Sequence, residues 1–112
     1  MSRTELLRQL IEMSVPLPQV ISRLSDQSWD AGDDLVELGP EHCKNVLTRF
    51  ARGELARTDV EAWANAIECR EDVGIQNAVV REVLHELANP IITFPLSPGR
   101  AEALLLRLPK RG

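Results

Sequence analysis

Thr58-Asp59-Val60-Glu61-Ala62-Trp63-Ala64-Asn65-Ala66-Ile67-Glu68 is the stretch that decides the fold class of this chain. Val60, Trp63, Ala64 and Ile67 recur at intervals of three and four, the spacing that lines one face of a helix. Thr58 followed by Glu61 has the form of a capping box, in which each side chain satisfies the other residue's free backbone N–H. The stretch predicts an amphipathic helix with Trp63 turned into a core and acidic residues outside.

Working outward, the same period returns on both sides. Upstream, Pro40 opens a helix with Cys43, Val46, Leu47 and Phe50 on one face, and Gly53 ends it as a C′ glycine at positive φ. Ser2 with Glu5 makes another capping box before Leu6, Leu7, Leu10 and Ile11, a first helix reaching about Met13. Pro16 and Pro18 stop it, and Pro18 can open a short second helix carrying Val20, Ile21 and Leu24. Between Ser25 and Gly39 the pattern is irregular. Trp29-Asp30-Ala31-Gly32-Asp33-Asp34 is turn chemistry, and Leu35-Val36-Glu37-Leu38 is a short extended segment.

Downstream, Asn77 to Ala88 reads as a helix with Val79, Val80, Val83, Leu84 and Leu87 inward, closed by Asn89-Pro90. Ile91 to Leu96, held between Pro90 and Pro95, reads as an extended strap with at most one strand's worth of pairing. Ser97 caps a last helix with Pro98 at N1 and Ala101, Leu104, Leu105 and Leu108 facing the core. The expected architecture is all-α. It is a single helical domain over residues 1–112, an irregular bundle of five or six short helices with an extended strap near residues 91–96.

Charge is laid out in blocks under a net −4. Asp26, Asp30, Asp33, Asp34, Glu37 and Glu41 stand with no basic residue among them. Lys44, Arg49, Arg52 and Arg57 follow, then an acidic block from Asp59 to Glu86, then Arg100, Arg107, Lys110 and Arg111. Two readings stand: blocks that neutralise one another in the fold, or a negative face shaped for a basic partner. Nucleic acid is disfavoured as a partner, because phosphate binding needs a basic stripe. The helix–Gly53-Glu54-Leu55–helix pair has the outline of a helix-turn-helix, yet its second helix opens on carboxylates that would repel a phosphate backbone.

Few residues offer chemistry. Glu82-Val83-Leu84-His85 has the Glu-x-x-His spacing of di-iron bundles, but such sites need two of these motifs and two further glutamates. His42 and Cys43, being sequence neighbours on a helix, point about 100° apart and cannot act as base and nucleophile. Cys43 and Cys69 lie in apolar stretches and read as core residues. No cofactor is expected, and the chain is not expected to be an enzyme. The start of the sequence does not resemble an export signal, and nothing approaches the roughly 18 apolar residues of a membrane span. A cytoplasmic location follows as the expectation.

Phe50-Ala51-Arg52-Gly53-Glu54-Leu55, the quoted stretch, and Arg70-Glu71-Asp72-Val73-Gly74 resemble a set of small, mostly uncharacterised bacterial helical proteins. Trp29-Asp30 and Glu86-Leu87-Ala88-Asn89-Pro90 belong to the same resemblance. In size and charge the chain is also similar to small acidic helical proteins of bacterial toxin–immunity pairs. That general likeness implies a protein-binding role and assigns no residue.

The functional expectation is a protein-interaction module that meets a basic partner, with an immunity protein masking a basic toxin as its specific version. Its partner-binding residues are expected to be Trp29, Asp30, Asp33, Asp34, Glu61, Glu68 and Asp72. Trp29 has two readings: a plug on the side of the bundle or, among carboxylates, an interface anchor. The rivals are a carboxylate or metal-dependent enzyme around Glu68, Glu82 and His85, and a homodimer or regulatory subunit built on the last helix or the strap.

Overall fold

The computed structural model describes residues 3–25, 36–68, 70 and 73–109. Within them the chain is all-α: α1 (Arg3–Glu12), α2 (Leu17–Ser25), α3 (Pro40–Ala51), α4 (Arg57–Glu68), α5 (Ala78–Ala88) and α6 (Pro98–Arg107). Two short strands, β1 (Val36–Glu37) and β2 (Val73–Gly74), pair in parallel, Val36 beside Val73 and Glu37 beside Gly74. The Leu38 N–H extends the ladder by donating to the Gly74 carbonyl. The pairing expected of the strap is therefore found elsewhere, between two segments far apart in sequence.

The apolar stripes meet in one core. Leu6, Leu7 and Leu10 of α1, Val46 and Leu47 of α3, Val60, Trp63 and Ile67 of α4, Val80, Val83 and Leu84 of α5 and Leu104 of α6 are all buried. Trp63 is fully enclosed, and its indole N–H donates to the Leu10 carbonyl at 2.8 Å. That bond satisfies the ring's one polar atom and ties α4 to the end of α1. Ile21, expected inward, is exposed: α2 buries only Val20 and Leu24, four residues apart, and Ile21 lies off that narrow face.

Helix ends follow local chemistry, with two departures. Asn77 caps α5 by accepting from the Val79 and Val80 N–H groups, and Ser97 caps α6 by accepting from Arg100 N–H. α4, however, starts one residue before Thr58. Asp59 instead reaches back to accept the Ala56 N–H at 2.8 Å, so the capping carboxylate is Asp59 and not Glu61. At the end of α3, Gly53 takes φ +81°, with its N–H on Phe50 O and the next N–H on Arg49 O. This is the Schellman pattern. The end of α1 repeats it with Met13, at φ +50°, where glycine would be strain-free. Met13 is buried, and Arg49 donates to its carbonyl at 3.0 Å.

Candidate interaction surface

Two surface features converge on the C-terminal end of α5. The first is the strap. After Pro90 the chain turns, and Ile91, Ile92 and Phe94 stand 97%, 74% and 56% exposed, while only Leu96 returns to the core. Large apolar groups grouped this closely in the open are unusual on a monomer's surface. The strap is nevertheless held. Ile92 N–H and Thr93 N–H both donate to the Asn89 carbonyl, and the Thr93 hydroxyl lies within hydrogen-bond reach of the Glu86 and Asn89 carbonyls. Phe94 lies under the Arg100 guanidinium, 4.2 Å from ring centroid to cation.

Arg100 is itself fixed from below. Its Nε and Nη2 donate to the two carboxylate oxygens of Glu86 at 2.7 and 2.6 Å, a forked ion pair in which Glu86 is nearly buried. The bond to Glu86 raises the pKa of Arg100 further, against the opposing effect of burial. One turn back, Glu82 pairs with Arg107 at 2.7 Å in the open. The acidic block on α5 and the basic block on α6 are thus partners within the fold.

The second feature is a groove of about 520 Å³ between α4 and α5. Ile67, Ile75 and Leu84 supply apolar floor, and Glu68, Glu82, His85, Arg70 and Arg81 supply the wall. Glu68 accepts from Asn89 Nδ2 on one oxygen and meets His85 Nδ1 on the other, both at 3.2 Å. Asn89 Nδ2 lies 3.2 Å from the same His85 Nδ1, so that ring nitrogen donates to Glu68 in one tautomer and accepts from Asn89 in the other. Asn89 spends its second amide hydrogen on the His85 carbonyl at 2.8 Å. Arg81 folds back onto the Ile75 carbonyl at 2.6 Å.

The expected site residues divide sharply. Trp29, Asp30, Asp33, Asp34 and Asp72 lie outside the described residues. Glu61 and Glu68 both lie on α4, but they line different hollows. Glu61 is half-buried in a cavity of about 150 Å³ with Arg57, Leu87, Pro90, Pro95 and Leu96, against the foot of the strap. Glu68 belongs to the groove. The strap residues Ile91, Ile92 and Phe94 were absent from the expected site, although the run of apolar residues between two prolines was their signal. Glu86 and Asn89 carried no such signal.

His42 and Cys43 belong to the structural framework. His42 Nδ1 accepts the Gly39 N–H at 2.9 Å, capping α3. Cys43 is buried, and desolvation, with a smaller contribution from the nearby Glu41 charge, pushes its thiol up to about 12. A thiol that stays protonated is a poor nucleophile. Among the described residues no group of three or more His, Cys, Asp or Glu is placed to hold a metal ion, and no helix is long and apolar enough to cross a membrane. No protein-family model matches the chain, and neither a curated protein nor a solved structure does.

Proposed function

We propose that the chain is a non-enzymatic, cytoplasmic protein-interaction module that docks a basic protein partner onto the strap. The carrying observation is the display of Ile91, Ile92 and Phe94 on a segment anchored through Asn89, Thr93 and Arg100. Exposed apolar groups are costly to keep in water, and holding them in place beforehand lowers the entropy lost on binding. The net charge of −4 and the acidic block Asp26 to Glu41 favour a basic partner by steering the encounter. Nucleic acid fits this balance poorly. An immunity protein masking a basic toxin is the specific version, supported by the chain's size and charge.

The test is capture of a partner by the wild-type chain beside the variant Ile91→Ser, Ile92→Ser, Phe94→Ser. These side chains contribute little to the core, so the variant is expected to keep its helical spectrum and melting point. Its affinity for the partner is expected to fall at least about a hundredfold, given the size of hot-spot effects. Equal retention of that partner by both chains would sink the strap reading. Replacing Asp30, Asp33 and Asp34 together by Asn is expected to slow association and flatten its salt dependence.

A second reading is favoured by the same exposed strap: the occupant is another copy of this chain. Solution mass that rises with concentration in the wild type, and not in the triple variant, would select it.

A further inference from the structure

The hollow at the foot of the strap is small and is walled by three parts of the chain. Leu87 of α5, Pro90 and Pro95 at the two ends of the strap, and Leu96 supply its apolar walls, and Arg57 and Glu61 of α4 complete the lining. Neither proline carries an N–H, so the walls they form present no donor that an apolar occupant would leave without a bond. The volume is about 150 Å³, and a cavity of about this size holds a benzene-sized group. Arg57 and Glu61 stand four residues apart on α4, and neither has a hydrogen-bond or ion-pair partner among the described residues. Their charges are opposite. A cation seated here would face Arg57, and an anion would face Glu61. A neutral peptide group suits both, because a guanidinium donates to its carbonyl and a carboxylate accepts from its N–H.

We infer that the hollow receives one phenyl-sized apolar side chain of the protein partner, whose flanking peptide groups bond to Arg57 and Glu61. Binding energy at interfaces concentrates where an apolar anchor fills a pocket that excludes water. The exposed Ile91 follows Pro90 directly and the exposed Phe94 precedes Pro95, so the display and the hollow share one short length of chain. One partner surface can thus cover the strap and seat a side chain behind it. The acidic block that steers a basic partner acts on the encounter, whereas the contact in the hollow is apolar and holds the docked state. This inference rests on the interaction-module reading and names the group by which the partner is anchored.

The experiment uses the full chain and N-acetyl-phenylalanine N-methylamide as the probe, followed by backbone and methyl NMR with no partner present. Saturable shifts are expected at the Leu87 and Leu96 methyls and at the Arg57 and Glu61 amides, with a Kd of about 1–10 mM for so small a ligand. The glycine analogue, which lacks the side chain, and the lysine analogue, whose ammonium would face Arg57, should each produce less than about a tenth of that response. Thr58 also lines the hollow and is exposed. Thr58→Trp is expected to fill the hollow, keep the helical spectrum and melting point, and weaken probe binding at least about tenfold. Absent shifts, shifts centred elsewhere, an equal response to the glycine or lysine analogue, or undiminished binding in a folded Thr58→Trp chain would each overturn the pocket. Partner capture lost in the strap triple variant but unchanged in Thr58→Trp would overturn the hollow's assignment to the partner and leave the module standing. The strap triple variant alters none of the hollow's lining residues, so probe binding that persists while capture is indifferent to the strap would overturn the module reading alone.

Discussion

α5 presents α6 with two glutamates one turn apart, and α6 answers each with an arginine, yet the two pairs do different work. Glu86 and Arg100 share two bonds, with side chains only 10% and 26% exposed. Glu82 and Arg107 share one bond at 63% and 45% exposure. Water screens the second pair and replaces its bond cheaply, whereas removing Arg100 from the first leaves the nearly buried Glu86 carboxylate without its counterion. The sheltered pair also carries the platform on which Phe94 rests. The difference is one of position: the same two residue types form a structural anchor under the strap and a surface contact at the edge of the groove.

The largest expected effect comes from breaking the sheltered pair. Arg100→Met is expected to lower unfolding free energy by about 2–4 kcal/mol in urea titration, because the nearly buried Glu86 carboxylate is left unpaired. Glu86→Leu combined with Arg100→Met should recover most of that loss, since no charge then remains to be compensated. A double variant as unstable as Arg100→Met alone would mean that the pair's charge is not what matters.

Burial as the deciding variable extends to Cys43. Its thiol titrates near 12 in the folded chain against an ordinary value of 9.0. Above the ordinary value the unfolded thiol ionises while the native one stays protonated, so the unfolded state binds fewer protons and stability falls as pH rises. This contribution is complete below about pH 9 and is lost at about 1.4 kcal/mol per pH unit between there and the folded value. Cys43→Ala should remove that alkaline slope, and mass-spectrometric mapping should find Cys43 unmodified by iodoacetamide in the native chain at neutral pH.

The smallest effect is expected at the open pair. Glu82→Ala should change stability by no more than about 0.5 kcal/mol, and less at high salt. A loss as large as that of Arg100→Met would erase the distinction between the two ends of α5.

Much of the fold was legible because its signals are local. Gly53 reaches the positive φ that a C′ glycine announces, Ser97 caps α6, and the inward faces of α3, α4 and α5 fall where three- and four-residue spacing puts them. The two departures at helix ends have specific causes. Thr58 and Glu61 matched a capping box, but Asp59 lay one turn from the free Ala56 N–H and took that role. Met13 ends α1 in a conformation suited to glycine because its side chain is buried and Arg49, 36 residues away, holds its carbonyl. Of the expected site, Glu61 and Glu68 were placed on the same helix correctly, but which hollow each enters depends on the strap and on α5. Trp29, Asp30, Asp33, Asp34 and Asp72 lie outside the described residues.

By itself the sequence determined that this chain is helical, where most of its helices begin and end, and which stripe of each is apolar, because those properties arise from contacts within a few residues. Only the tertiary structure decided that Val36 pairs with Val73, that Glu86 shelters under Arg100, and that Glu68, His85 and Asn89 meet beside an open groove. It likewise decided that Ile91, Ile92 and Phe94 stay in solvent instead of joining the core. The reason is that a side chain's type sets what it can bind, while its partners are set by how helices distant in sequence pack against one another.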